Sequence, residues 1–413
     1  MIRESGANWT QTVYRPLRRA GRRVARQLAP TNASRPSRRP ERYVALDNAR
    51  FMLIALVVVG HLLEQLVDAG PFAAALYRWI YLFHMPAFVL ISGALSKRIL
   101  TRRRAMGLAT GLLVPYLVFQ TLYPAWNAWL FQTGDAWQGY LTPYWLLWYL
   151  PSLVCWRLLL PLFAHRWALP IAVAIALAAG AAPWIGYPFS LSRTLVFFPL
   201  FLLGHRIGAQ KLQRLGALRV FRICAVVVLA AAAAGAWYLR DLDPEWLYHA
   251  AGYATLHVDA PTGAAVRLAL LVASSACALA VIVLMPRRPY WAEFGRRSLT
   301  TYLTHGFLVR GLLAAGVFGW LAQAVAPPVL QIGSCLAAGG LIATLLSTRL
   351  ADKLVAPLTR PVRWLAATGR DLARGRPRWR APVRPSMSGR SPSADLSPED
   401  RHRDAPPIRR RME

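Results

Sequence analysis

Apolar runs of about 20 residues, the length a helix needs to cross a bilayer, recur along most of this 413-residue sequence. With 56% of residues hydrophobic and only 16% charged, the chain reads as an all-α, polytopic integral membrane helix bundle and not as a water-soluble core. About ten runs have spanning length: 49–67, 79–96, 107–131, 144–163, 167–185, 194–209, 221–239, 266–285, 299–321 and 329–348. Residues 1–42 and 351–413 are rich in Arg, Pro and Ser, and are expected to be disordered basic tails flanking a membrane domain at 43–350.

The formal net charge of +31 raises nucleic acid as a partner. The basic residues, however, sit in the tails and in short connections between apolar runs, with no recognition module, so no nucleic-acid binding is expected. With the N-terminus inside, the inner connections include KRILTRRR (97–104), GHRIGAQKLQRLGALRVFR (204–222) and PRRPYWAEFGRR (286–297). The outer connection after the seventh run carries Asp241, Asp243, Glu245 and Asp259. This asymmetry obeys the positive-inside rule and predicts cytoplasmic termini, with the basic tails against anionic membrane lipids. Lysine occurs only at positions 97, 211 and 353, a usage that points to a GC-rich bacterial genome and hence to a bacterial inner membrane. About fifty residues precede the first apolar run, and no small-residue cleavage site follows it, so no cleavable signal peptide is expected. Cys155, Cys224, Cys277 and Cys335 each lie inside an apolar run without close pairing. They read as small buried hydrophobes, with neither disulfide nor metal site.

The first run, LDNARFMLIALVVVGHLLEQL (46–66), keeps Asp47, Arg50, His61 and Glu64 where hydrocarbon penalises ionisable groups. On an α-helix eleven residues advance about three turns, so Arg50 and His61 share a stripe, with Asp47 one turn below Arg50 and Glu64 one turn above His61. At about 1.5 Å per residue His61 stands roughly 16 Å above Arg50, too deep to snorkel. Two readings stay open. Either Arg50 marks the inner boundary and His61 hydrogen-bonds a neighbouring helix, or the stripe lines a polar cavity with a base at its centre and a cation at its mouth. In the second case Glu64 fixes the tautomer of an imidazole that accepts protons.

The Arg50 to His61 spacing, preceded by LDNAR, resembles the first-helix motif of the acyltransferase-3 family of integral membrane O-acyltransferases, and within it the fucose 4-O-acetylase-like branch. YLFHMPAFVLISGAL (81–95), VPYLVFQTLY (114–123), FFPLFLLGH (197–205) and SLTTYLTHGFL (298–308) are similar to the family in order and spacing. The resemblance implies transfer of an acyl group, most often acetyl, to a hydroxyl of a glycan, lipid-linked sugar or exported metabolite. Acetyl-CoA or another acyl-CoA is then the donor substrate, and no cofactor is permanently bound. The resemblance also makes His61 the essential catalytic residue and Arg50 the motif Arg. One departure stands out. Many relatives carry Arg-x-x-Arg just before the Pro-Tyr of the third helix, where this chain has Gly107, Leu108, Ala109, Thr110 and Gly111. Either Arg102, Arg103 and Arg104 handle the donor phosphates from farther back, or the donor is held differently.

Arg50, oriented by Asp47, and Arg102 to Arg104 are therefore the candidate donor-binding residues through charge-assisted contacts. A purely topological role stands beside this one, because every inner loop is basic. His84 opens FHMP, where Pro86 withdraws a backbone hydrogen bond; it either meets His61 from the acceptor side or satisfies the kinked helix. Tyr302 and His305 form a Tyr-x-x-His pattern that lines the cavity or makes interhelical hydrogen bonds. Trp126, Trp129, Trp137, Trp145, Trp148 and Trp156 form an interfacial belt or a stacking surface for a sugar. Chemically, His61 either draws the proton from the acceptor hydroxyl or carries the acyl group itself. The rival class is a transporter or flippase, since intramembrane ionisable residues also line transport paths. Against it, the signatures of the first half do not recur in the second.

Overall fold

Every apolar run singled out above is helical in the computed structural model, which describes residues 43–132, 139–163, 165–325 and 327–373. The helices are α1 (Val44–Leu63), α2 (Pro71–Ala94), α3 (Arg102–Phe131), α4 (Trp145–Leu159), α5 (Ala168–Ala181), α6 (Leu191–Ile207), α7 (Arg219–Tyr238), α8 (Ala260–Leu284), α9 (Ser298–Ala314) and α10 (Pro328–Leu346). Six have the length and apolarity to cross a membrane alone, and α9 with its continuation Val317–Ala324, bent by 59°, makes a seventh. The other three are shorter for local reasons. Pro143 precedes α4; Ala182 before Pro183 takes extended backbone and stops α5; Gly208 leaves α6 at φ 75°. Among the described residues there is no strand.

The tail at 1–42, Trp137 and everything after 373 lie outside the described residues. Residues 351–373, expected in the C-terminal tail, are instead largely helical, in Arg349–Leu354, Ala356–Thr359 and Pro361–Ala373. Thr348 caps the first of these through the Ala351 N–H, and Asp352 accepts from Thr300 at 2.6 Å and pairs with Arg360. Contacts divide the chain after Trp364, and the second unit is described only through the last turns of Pro361–Ala373.

α1 is buried around most of its circumference, with Leu46, Leu53, Ile54, Val58, Leu62 and Leu63 all nearly inaccessible. It packs against α2, α9 and α10, while α2 also meets α6, α7 and α8. The α2–α6 contact is made backbone to backbone: a side chain at Gly93 would strike the Phe201 carbonyl, and one at Gly204 the Leu90 carbonyl. Small residues at helix crossings allow such approach where apolar burial gives no driving force in lipid. The outward faces of α4 and α7 carry exposed Leu158, Ile223, Val226 and Val227. Cys155 and Cys224 lie on these exposed surfaces, so only Cys277 and Cys335 are buried as the sequence reading had it.

Both ends of the bundle are fastened by buried polar side chains. At the end where α1 begins, the inaccessible Asn48 donates to the Pro286 and Arg288 carbonyls at 2.8 and 2.7 Å and accepts from the Trp291 N–H at 3.0 Å. At the opposite end three guanidiniums hold the loop after α7. Arg78 donates to the Leu242 carbonyl at 2.7 Å, Arg193 to that of Tyr248 at 3.1 Å and Arg267 to that of Ala251 at 2.8 Å.

Candidate active site

Two cavities lie along α1. The larger, about 310 Å³, is lined by His61 and Glu64 from the far end of α1, Tyr81 and His84 from α2, Trp145 and Trp148 from α4, and the loop residues Glu245 and Tyr248. The smaller, about 220 Å³, lies toward the start of α1 and is lined by Arg50, Ser92, Tyr149, Arg157 and Ser298 among apolar groups. Met85 and Tyr302 line both, so they form the partition between the two chambers.

The chain enters a 3₁₀ turn at Glu64, which swings this carboxylate back toward the preceding turn. His61 Nδ1 lies 3.2 Å from Glu64 Oε2. A carboxylate oxygen can only accept, so Nδ1 carries the hydrogen and Nε2 keeps a free lone pair. The His61 ring sits 4.4 Å from that of Trp145 and is stacked 5.4 Å from that of His305. His305 is wholly buried and lines neither cavity; its Nδ1 donates to the Thr301 carbonyl at 2.9 Å, and its Nε2 has no partner. His84 donates from Nδ1 to the Ile80 carbonyl at 2.8 Å and lines the larger cavity, so the α2 contact and the cavity position occur together. The Tyr302 hydroxyl donates to the Leu146 carbonyl, which fixes the ring at the partition.

In the smaller chamber Arg50 donates to Ser298 Oγ at 3.2 Å and lies 3.7 Å from Asp47. Arg102, Arg103 and Arg104 are exposed on the first turn of α3 and line neither cavity. Of the tryptophans, Trp145 and Trp148 face the larger cavity, Trp156 is buried against the Thr194 carbonyl, and Trp129 is exposed. No group of His, Cys, Asp and Glu among the described residues could hold a metal ion.

The sequence reading did not single out several lining residues. Arg193 lies over the rings of Trp148 and Tyr187, 5.3 Å from each centroid, and faces the larger cavity with Glu245. Tyr187 donates to Glu245 at 3.1 Å. Burial, with the Glu64 and Glu245 carboxylates nearby, pushes the Tyr248 phenol up to about 12, although its hydrogen bond with Tyr77 works the other way. Arg157, an ionisable residue within an apolar run, carried the same signal that marked α1. In the sequence alone, the connection from Asp241 to Asp259 marks only sidedness.

These features define a polytopic membrane helix bundle that holds a histidine–carboxylate pair beside the partition between two internal chambers. A family model described as an acyltransferase domain, acyltransferase-3, matches residues 43–348, and the chain belongs to that family. Nodulation protein NolL of Mesorhizobium japonicum is 39% identical over 94 residues, which make up 21% of this chain and 25% of that protein. Nodulation protein NolL of Sinorhizobium fredii is 36% identical over 88 residues, 20% of this chain and 24% of that protein. The chain thus spans about a quarter of the length of the curated relatives it matches. No solved structure matches it.

Proposed function

We propose that this chain is an O-acyltransferase of a bacterial inner membrane, with both termini cytoplasmic. It moves an acyl group, acetyl in the first instance, from acyl-CoA to a hydroxyl of a cell-envelope glycan, lipid-linked sugar or exported metabolite. The observation that carries this reading is the pair of chambers divided by Met85 and Tyr302, with His61 in one and Arg50 in the other. The cationic chamber suits the thioester donor, and the aromatic chamber with its two carboxylates suits a polyhydroxylated acceptor.

His61 Nε2 takes the proton of the acceptor hydroxyl as that oxygen attacks the thioester carbonyl. The C–O bond forms, the C–S bond breaks, and the thiolate recovers the proton from the imidazolium, leaving an ester and free CoA. Glu64 holds Nδ1–H and stabilises the cation that forms on the ring. Membranes containing the wild-type chain are expected to transfer labelled acetyl from acetyl-CoA into glycan or lipid-linked material. His61→Ala at equal protein level should lower the rate by about 10²- to 10⁴-fold, the usual contribution of a general base. Glu64→Gln should lower kcat more than KM. Label retained on the protein without acceptor would favour an acyl-histidine over direct attack. Equal incorporation by wild type and His61→Ala would refute the mechanism, and substrate accumulation in vesicles without label transfer would favour a transporter.

A further inference from the structure

The smaller chamber holds two guanidiniums, Arg50 and Arg157, and its lining contains no carboxylate. Arg50 has Asp47 and Ser298 beside it. Arg157, close to the end of α4, has no such support. Its Nε is buried without any hydrogen-bond partner, and no ion pair forms to it among the described residues. An unpaired cation inside a membrane bundle is expensive, and where one persists it marks a ligand or ion path. The carboxylates that line a cavity, Glu64 and Glu245, line the other chamber.

We infer that Arg157 is an anion-binding residue of the donor chamber and, with Arg50, receives the pyrophosphate of the acyl-CoA. This rests on the acyl-CoA reading above and deepens it. Both arginines lie at the end of the bundle where α1 begins and α4 ends. That places the phosphates at the chamber mouth, since a cavity of about 220 Å³ admits the arm of the donor but not its nucleotide. The reach is right. From the pyrophosphate to the sulfur, an extended pantetheine chain of some thirteen bonds covers roughly 16 Å. The eleven-residue rise along α1 from Arg50 to His61 is also roughly 16 Å. A donor held at Arg50 and Arg157 would therefore reach the level of His61 once its arm passes the partition of Met85 and Tyr302.

The test uses the purified full chain in nanodiscs of neutral phosphatidylcholine, comparing wild type with Arg157→Gln, Arg157→Lys and Arg50→Gln. Binding of CoA and of phosphate-free pantetheine is measured by calorimetry, and thermal unfolding is followed without ligand. Arg157→Gln should weaken CoA binding about ten- to hundred-fold, as loss of a charge-assisted contact does, while pantetheine binding changes less than about twofold. Arg157→Lys should keep part of the affinity. Without ligand, Arg157→Gln should melt at the same temperature or higher, because it removes a half-buried charge that no carboxylate pairs. CoA affinity unchanged in Arg157→Gln but reduced in Arg50→Gln would overturn the inference and leave the acyl-CoA reading standing. Equal weakening for CoA and pantetheine with a lower melting temperature would also overturn it, making Arg157 structural. A wild-type chain that binds no CoA, yet is stabilised by phosphatidylglycerol only when Arg157 is present, would overturn both readings in favour of a lipid-headgroup site.

Discussion

Asn48→Ala should loosen the end of the bundle where α1 begins measurably, and the size of the effect follows from its surroundings. The side chain is inaccessible and makes three hydrogen bonds with the connection between α8 and α9, at 2.7 to 3.0 Å. At about 1 kcal/mol net for each bond, the loss is about 3 kcal/mol, a substantial fraction of the roughly 5–15 kcal/mol that holds an average domain folded. By the scaling for large domains this corresponds to a fall of about 5 °C or more in apparent melting temperature. Asn48→Asp should be worse, because it keeps the acceptor for Trp291 but turns an anion toward the Pro286 and Arg288 carbonyls. Differential scanning fluorimetry in detergent gives the melting order, and limited trypsin digestion reports freeing of the connection at Arg287. Because Ser298 follows this connection and accepts from Arg50, donor KM should rise in parallel. The reasoning is refuted if both variants melt within about 1 °C of wild type and the tryptic pattern is unchanged.

Two further outcomes test the packing and the buried loop. Gly204→Val or Gly93→Val should abolish folded yield by forcing α2 and α6 apart, whereas Gly107→Ala, with nothing near its Cβ position, should be neutral or gain up to about 1 kcal/mol; size-exclusion monodispersity separates the two. His249 is buried in the loop after α7, where burial first, and then Arg267 and Arg193, lower its pKa to about 3. Above about pH 6.5 neither folded nor unfolded chain protonates it. Below that only the unfolded chain does, so stability falls by about 1.4 kcal/mol per pH unit down to the folded value. His249→Asn, which tolerates the left-handed backbone at φ 55°, should flatten the loss of melting temperature between pH 6.5 and 5. An unchanged pH slope would refute the assignment.

The sequence made α1 legible because hydrocarbon penalises ionisable groups so strongly that their retention is itself a signal. Helical periodicity then set Asp47, Arg50, His61 and Glu64 on one stripe, and the structure puts two of them in each neighbourhood, Asp47 with Arg50 and Glu64 with His61. The same penalty applied to Arg157 and Arg193 was harder to weigh. One sits near a helix end and the other just before an apolar run, where snorkelling or sidedness accounts for a cation equally well. Glu245 and Tyr248 were out of reach for a different reason. They stand on a connection that sequence distance separates from α1, and the carbonyls held by Arg78, Arg193 and Arg267, with the Tyr77–Tyr248 and Tyr187–Glu245 hydrogen bonds, fold it over the cavity. Arg102 to Arg104 are conspicuous in one dimension as a dense basic cluster, and the structure leaves all three exposed on the first turn of α3, lining neither cavity.

The partition would impose an order on the proposed chemistry. Met85 and Tyr302 are the only side chains shared by the two chambers among the described lining residues, and Tyr302 is tied to the Leu146 carbonyl. On the proposed reading, a donor arm rising from Arg50 and an acceptor hydroxyl beside His61 would meet only across that tyrosine ring and a flexible thioether. Met is the more adaptable of the two, with an unbranched chain that yields to a passing group and refills the gap behind it. Replacing it with a β-branched residue would stiffen the partition without moving His61, Glu64 or either arginine. Slower transfer with intact donor binding would then separate passage of the acyl group from its capture.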